Sequence, residues 1–232
     1  MTGASPALLL FDIDGTLVQR ASAEHAAALR EALAEVHGIA EAPKVEAAGR
    51  TDLEIARAML LAAGLPPDRI DAGAGAVRDA TVAAYARRCP PDLSGHVVPG
   101  IPEALAALQD SAAHRLALVT GNLEPVARLK LQRAGVGHFF PPGQGGFGSD
   151  SEDRADLPGI ARQRAGADGD AHPRERTVVI GDTPRDIACA RADGVAVIAV
   201  TTGPFAAADL AAADAVIDGP AALDAALAAV LG

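Results

Sequence analysis

Three short polar runs carry residue types that can do chemistry together. The first is Asp12-Ile13-Asp14-Gly15-Thr16. Two carboxylates two residues apart, leaving an apolar run into a glycine turn, can face one site. One can attack an electrophile and the other can move a proton. With a cation nearby, Asp12 stays ionised as nucleophile, and Asp14 protonates a leaving oxygen and later deprotonates water. The competing reading is a polar turn with two solvated aspartates. The second run, Thr120-Gly121-Asn122, offers a hydroxyl and backbone N–H groups suited to phosphate oxygens, or simply a strand-to-helix turn. The third, Gly181-Asp182-Thr183-Pro184-Arg185-Asp186, places two carboxylates four residues apart with Pro184 near the first helical position. Asp12, Asp182 and a carbonyl near Asp14 form a hard-oxygen donor set that suits Mg²⁺. The plainer alternative is helix capping, with Asp182 as N-cap and Asp186 complementing the helix dipole.

The elements that must position these runs follow from the apolar pattern. Residues 7–11 (ALLLF) form a short continuous apolar run, which predicts a buried strand ending at Asp12. From 22 to 88 the pattern is helical, over 22–37, 52–63 and 68–88, with Ser22 in the position of an N-cap. Pro90-Pro91 and Pro99-Gly100 bracket a linker. Beyond it helices and strands alternate: helix 101–112, strand 115–120, helix 124–134 stopped by Gly135, a Gly/Pro-rich loop over 137–149, helix 156–165, strand 177–181, helix 184–192, strand 195–200, strand 215–217 and helix 220–231. Alternation predicts a Rossmann-like α/β fold, a parallel sheet with helices on both faces. The all-helical stretch after the first strand reads as a small inserted cap. The expected division is a catalytic core of 1–18 and 96–232 and a helical cap of 19–95. Ligands of such sheets bind beyond the carboxyl ends of the strands, so the three runs converge on one crevice.

Composition narrows the partners. The 232 residues are 50% apolar and 3% aromatic, with a formal charge of −10. An acidic chain repels a polyphosphate backbone, so nucleic acid is not an expected partner. No uncharged apolar run approaches the ~18 residues of a membrane span, and no leader pattern opens the chain. Cys89 and Cys189 are read as reduced structural thiols. A cytoplasmic protein is expected. No motif speaks to its oligomeric state.

The order DIDGT, TGN, GDTPRD on successive strand ends, with a helical insert after the first, resembles the haloacid dehalogenase superfamily of phosphohydrolases, most nearly its phosphoglycolate phosphatase-like branch. The likeness covers nearly the whole chain. It implies Asp12 as nucleophile, Asp14 as acid/base, Thr120 as phosphate ligand, and Mg²⁺ held by Asp12, the Asp14 carbonyl and Asp182, with Asp186 supporting. It also implies substrate contacts from Gly15, Thr16, Gly121 and Asn122, and from Arg50 at the head of a cap helix. One departure stands out. The family places a lysine before the third run, and this chain has only Lys44, in the cap, and Lys130. Lys130 lies well along a helix, and a rise of ~1.5 Å per residue is expected to carry it away from Thr120. Arg154 therefore takes the lysine's place, with a planar fork that suits phosphate. The six histidines, His25 among them, show no ligand spacing and read as surface or structural.

The expected function is Mg²⁺-dependent hydrolysis of a small phosphorylated metabolite. Three alternatives compete with it. A phosphomutase of the same architecture shares every motif. A dehalogenase needs no proton donor such as Asp14 and no metal. A non-catalytic binding module is expected to have lost one of Asp12, Asp14 or Asp182, and none is lost.

Overall fold

Ala7–Phe11 (β1) is fully enclosed because its two side-chain faces meet different layers. The computed structural model describes residues 5–232, so residues 1–4 of the expected first core segment lie outside the described residues. Strand β1 pairs in parallel with His114–Thr120 (β2) on one side and Thr177–Gly181 (β4) on the other. Gly146–Phe147 (β3), Ala196–Val200 (β5) and Ala215–Ile217 (β6) complete a six-stranded sheet in the order β3-β2-β1-β4-β5-β6. Phe11 stands opposite both Leu118 and Ile180. That register brings the residues after Phe11, Val119 and Gly181 to one edge.

Successive β1 side chains point to opposite faces. Ala7, Leu9 and Phe11 join the layer containing Ile101–Asp110 (α4), Glu124–Arg133 (α5) and Leu223–Leu231 (α8). Leu8 and Leu10 join Leu157–Ala165 (α6) and Pro184–Asp193 (α7). The sheet thus carries helices on both faces, as its continuous apolar strands require.

Between β1 and α4 run Ala23–His37 (α1), Asp52–Ala62 (α2) and Pro67–Arg88 (α3). They form a helical cap with its own apolar centre, including Leu33, Leu60, Ile70 and Val77. Ala28, Ala84 and Tyr85 join Leu123 and Val126 of the core in a second small cluster. The two chain crossings into the cap lie side by side: Val18 bridges to Val97, and the Gln19 amide donates to the His96 carbonyl at 2.7 Å.

Three local expectations are corrected. The loop expected over 137–149 contains β3, two residues long and too short for any periodicity to announce. The expected 220–231 helix begins with a separate 3-10 turn over 220–222. Ser22 precedes α1 without capping it; its hydroxyl instead donates to Asp14 Oδ1 at 3.1 Å. Both cysteines are free. Among the described residues no helix is long and apolar enough to cross a membrane.

Candidate active site

The strand ends place Asp12 and Asp182 on one crevice, together with Gly121 and Asn122; Thr120, wholly buried, ends β2 just behind that lining. Asp12, Asp182 and Asp186 each offer a carboxylate oxygen within 4.8 Å of the others. Burial pushes the Asp12 carboxyl above its ordinary range; Arg154 opposes the shift, while Asp186 and Asp14 add to it. Burial, then the charges of Asp12 and Asp186, push Asp182 up in the same direction. A cluster of oxygens whose mutual repulsion favours protonation is what a hard dication relieves, so the donor set fits Mg²⁺.

The members of that cluster are not equivalent. Asp186 is already engaged. Its Oδ2 accepts from the Thr183 amide at 2.9 Å and the Thr183 hydroxyl at 2.7 Å, a reciprocal capping box at the head of α7. Its Oδ1 is bonded by Arg154. Thr183, rather than Asp182, is therefore the N-cap, and this leaves Asp182 free to face the crevice. Asp182 accepts from the Thr16 hydroxyl at 3.2 Å. Two glycines make room for its carboxylate: a Cβ on Gly15 would lie 2.1 Å from Asp182 Oδ2, and one on Gly203 would lie 1.7 Å from it. Gly203 follows β5 in a turn with Thr202, whose hydroxyl donates to the Gly15 carbonyl at 2.6 Å. Neither residue was expected in the site; Thr201-Thr202-Gly203 after an apolar strand was the available signal.

Arg154 sits at the crevice, Nη2 3.2 Å from Asp12 Oδ1. Burial works against its charge, but Asp186 and Asp12 outweigh that and keep it protonated. A fixed positive charge thus lies between the two carboxylates.

The largest correction concerns Lys130. It is wholly buried, and its Nζ lies 2.8 and 2.6 Å from the two Asp14 oxygens and 2.8 Å from Asn122 Oδ1. The axial rise does carry its Cα away from Thr120, but helical side chains lean back toward the N-terminus. Its long stem returns the ammonium to the strand ends. Asn122 Nδ2 also donates to Asp14 Oδ2 at 2.9 Å, and to Thr120 Oγ1 at 3.0 Å. Burial alone would raise the Asp14 carboxyl. Lys130, then His25, and the hydrogen bonds from Lys130 and Asn122 overcome it and hold Asp14 down at about 2. The Asp14 side chain therefore faces this pocket rather than the three-carboxylate cluster.

The cap closes over the crevice. Thr51 caps α2, accepting from the Glu54 amide at 3.1 Å, while its hydroxyl donates to the Glu152 carbonyl at 2.7 Å. The Asp52 amide donates to the Gly121 carbonyl at 2.9 Å, and Asp52 Oδ2 accepts from the Leu123 amide at 2.8 Å. His25 is buried and pairs with Asp52 Oδ2 at 3.0 Å, so this histidine ties α1 to the head of α2 within the cap, beside the cavity. Gly121 lies directly beneath the cap loop: a Cβ there would be 2.1 Å from the Arg50 carbonyl oxygen. Arg50 lines the cavity with its Nε 3.2 Å from Glu54 Oε1. The crevice, open to solvent at its mouth, has a volume of about 650 Å³ and is shared by core and cap.

The sequence profile of the haloacid dehalogenase-like hydrolases matches residues 9–191. The chain is 29% identical over 197 residues, 84% of its length and 81% of the relative's, to a Dickeya dadantii (strain 3937) protein named Probable phosphatase IndB. Among solved structures it is similar to a predicted phosphoglycolate phosphatase from Haemophilus somnus 129pt, with TM-score 0.64, 20% identity, and coverage of 96% and 98% of the two chains. It is also similar to a beta-phosphoglucomutase from Clostridium difficile, with TM-score 0.68, 14% identity and 97% of both chains covered. At these identities the two structures establish a common fold.

Proposed function

This chain belongs to the haloacid dehalogenase-like hydrolase family, and from that premise we propose that it is a Mg²⁺-dependent phosphatase acting on a small phosphomonoester through an aspartyl-phosphate at Asp12. The observation that carries the reading is the separation of two carboxylates in one run. Asp12 lies in an anionic cluster against Arg154, while Asp14, two residues on, is turned to Lys130 and Asn122. Similar side chains in unlike surroundings are suited to unlike roles. Residues 1–18 and 96–232 are taken as the catalytic unit and 19–95 as the cap; the paired crossings at Val18 and Val97 support that division.

Asp12, Asp182 and the Asp14 carbonyl would hold Mg²⁺, which when bound neutralises phosphoryl charge and lets Asp12 stay ionised. Arg154, Thr120 and the amides of Gly121 and Asn122 orient the phosphoryl oxygens, and Gly15 and Thr16 complete the turn around them. An Asp12 oxygen attacks phosphorus in line, the ester P–O bond breaks, and Asp14 gives a proton to the departing oxygen. Asp14 is held ionised beside Lys130, so the proton it donates is taken up as the anionic ester enters and raises its proton affinity, and the proton it gains from water in the second half replaces that proton for the next turnover. In the second half Asp14 takes a proton from water as water attacks phosphorus. The P–O bond to Asp12 then breaks, releasing phosphate and the carboxylate. The closed cap excludes bulk water during the first half.

The test is phosphate release from a panel of phosphomonoesters with Mg²⁺ and with chelator. Metal-dependent release that disappears in Asp12→Asn, with the thermal transition retained, is the expected result. Turnover by Asp12→Asn at the native rate would remove the covalent mechanism.

A further inference from the structure

The cavity has two unlike ends. Its floor is polar, with Asp12, Asp14, Arg154 and Asp182. Its cap end is lined by Ala26 and Leu29 of α1, Val45 of the following loop, and Ile55 and Met59 of α2. Ala26, Val45 and Ile55 remain half-buried, so apolar surface is still open to the cavity. Two of the polar side chains at that end are engaged, and the Arg50 Nε, buried without a hydrogen-bond partner among the described residues, is the exception. His25 and Asp52 bond each other at 3.0 Å, Asp52 also accepts from Leu123, and Arg50 lies against Glu54. Arg20, Arg30 and Lys44 line the mouth and are exposed, where water solvates them. A polyhydroxylated leaving group would meet only the Arg50 Nε as an unengaged buried donor at that wall, and each hydroxyl left unpaired against Val45 and Ile55 opposes binding. An apolar body would gain by covering Val45 and Ile55. The volume of about 650 Å³ exceeds what a phosphoryl group with a two-carbon acid would fill and falls in the range of larger organic ligands.

Resting on the phosphatase reading above, we infer that the cap end is a hydrophobic leaving-group subsite, and that the substrate is a phosphomonoester whose leaving alcohol carries an alkyl or aromatic body to cover Val45 and Ile55.

The experiment is calorimetric binding of alkylphosphonates, methyl to hexyl, to the full chain with Mg²⁺. A dihydroxybutylphosphonate serves as the polar match to the butyl compound. Phosphonates are not turned over, so binding is read apart from catalysis. Affinity is expected to rise about three- to fourfold per added methylene along the lower members, with the dihydroxy compound weaker than butyl. Val45→Thr, which keeps the native shape, and Ile55→Thr, which is one carbon shorter, are each expected to flatten the series. A flat series, tighter binding of the dihydroxy compound, or no binding of any phosphonate would overturn the inference. A steep series on a chain that releases no phosphate from the matching esters keeps the subsite and removes the phosphatase reading. Phosphate release with a flat series does the reverse.

Discussion

Lys130 and Asp14 are 116 residues apart in sequence, and the lysine Nζ lies within 2.8 Å of both aspartate oxygens. The lysine is wholly buried and the aspartate side chain is 27% exposed. Removing the lysine leaves a largely enclosed carboxylate with Asn122 and Ser22 as its side-chain partners among the described residues.

Lys130→Met is therefore expected to act in two ways. The Asp14 carboxyl loses its main restraint and rises by about one unit or more, which moves the acid limb of the pH–rate profile upward. Stability falls by about 3 kcal/mol, the low end for breaking a buried pair, because Asp14 keeps some access to water. Native Asp14 contributes stability that is present above its unfolded value of 3.8 and is lost as pH falls through about 2. That contribution should be missing from the variant's acid denaturation curve. An acid limb identical to the native one would show that Lys130 does not govern Asp14.

Gly203→Ala places a methyl group where the Asp182 carboxylate now lies, 1.7 Å from Oδ2. The fold can survive this because Gly203 is only half-buried, but Asp182 must rotate away. Mg²⁺ affinity, read by titration calorimetry, is expected to drop at least about tenfold, in line with disturbing a supporting residue of a metal site. Native affinity in Gly203→Ala would separate Asp182 from metal binding.

Asp52→Ala removes the acceptor shared by His25 and the Leu123 amide. Leaving buried donors unpaired costs about 2–3 kcal/mol, which for a chain of this size lowers Tm by about 5 °C or more. A scanning-calorimetry transition within 1 or 2 °C (roughly the effect of a neutral surface change) would mean that this junction carries little of the stability.

His172 is 4% exposed, and its Nε2 finds no hydrogen-bond partner among the described residues. Burial, then Arg115, Arg162 and Arg176, lower its proton affinity below the ordinary 6.5. The neutral ring is the folded form, so its contribution to stability is complete above 6.5 and is lost as pH falls toward the lower folded value. Tm should decline on the acid side of neutrality, and His172→Gln should make that decline shallower. An unchanged slope would assign the decline to other groups, such as His114, whose affinity is also lowered by burial.

Much of the fold was legible because its signals are local. Apolar runs ended at Asp12, Thr120 and Asp182, and alternation beyond residue 100 implied the parallel sheet. The crevice followed from the strand ends alone. The features that were not legible depend on direction or distance. Lys130 was misplaced because axial rise says where a Cα goes, while the side chain runs backward by most of a turn. Ser22 holds the cap position of α1, but its hydroxyl is turned to donate to Asp14 and accepts from no helix amide. Thr202 and Gly203 reach Gly15 and Asp182 from the end of β5, across 187 and 21 residues of sequence respectively. No periodicity encodes such a meeting.

Gly121 draws a consequence from the seam between cap and core. A methyl group there would collide with the Arg50 carbonyl oxygen above it, and one on Gly148 would come within 2.1 Å of the Gly121 carbonyl oxygen below. Three backbones are thus stacked with no side chain between them. The glycine in the middle run answers to the lid as much as to any phosphate. The core therefore carries, in its own sequence, a mould of the cap loop that rests on it.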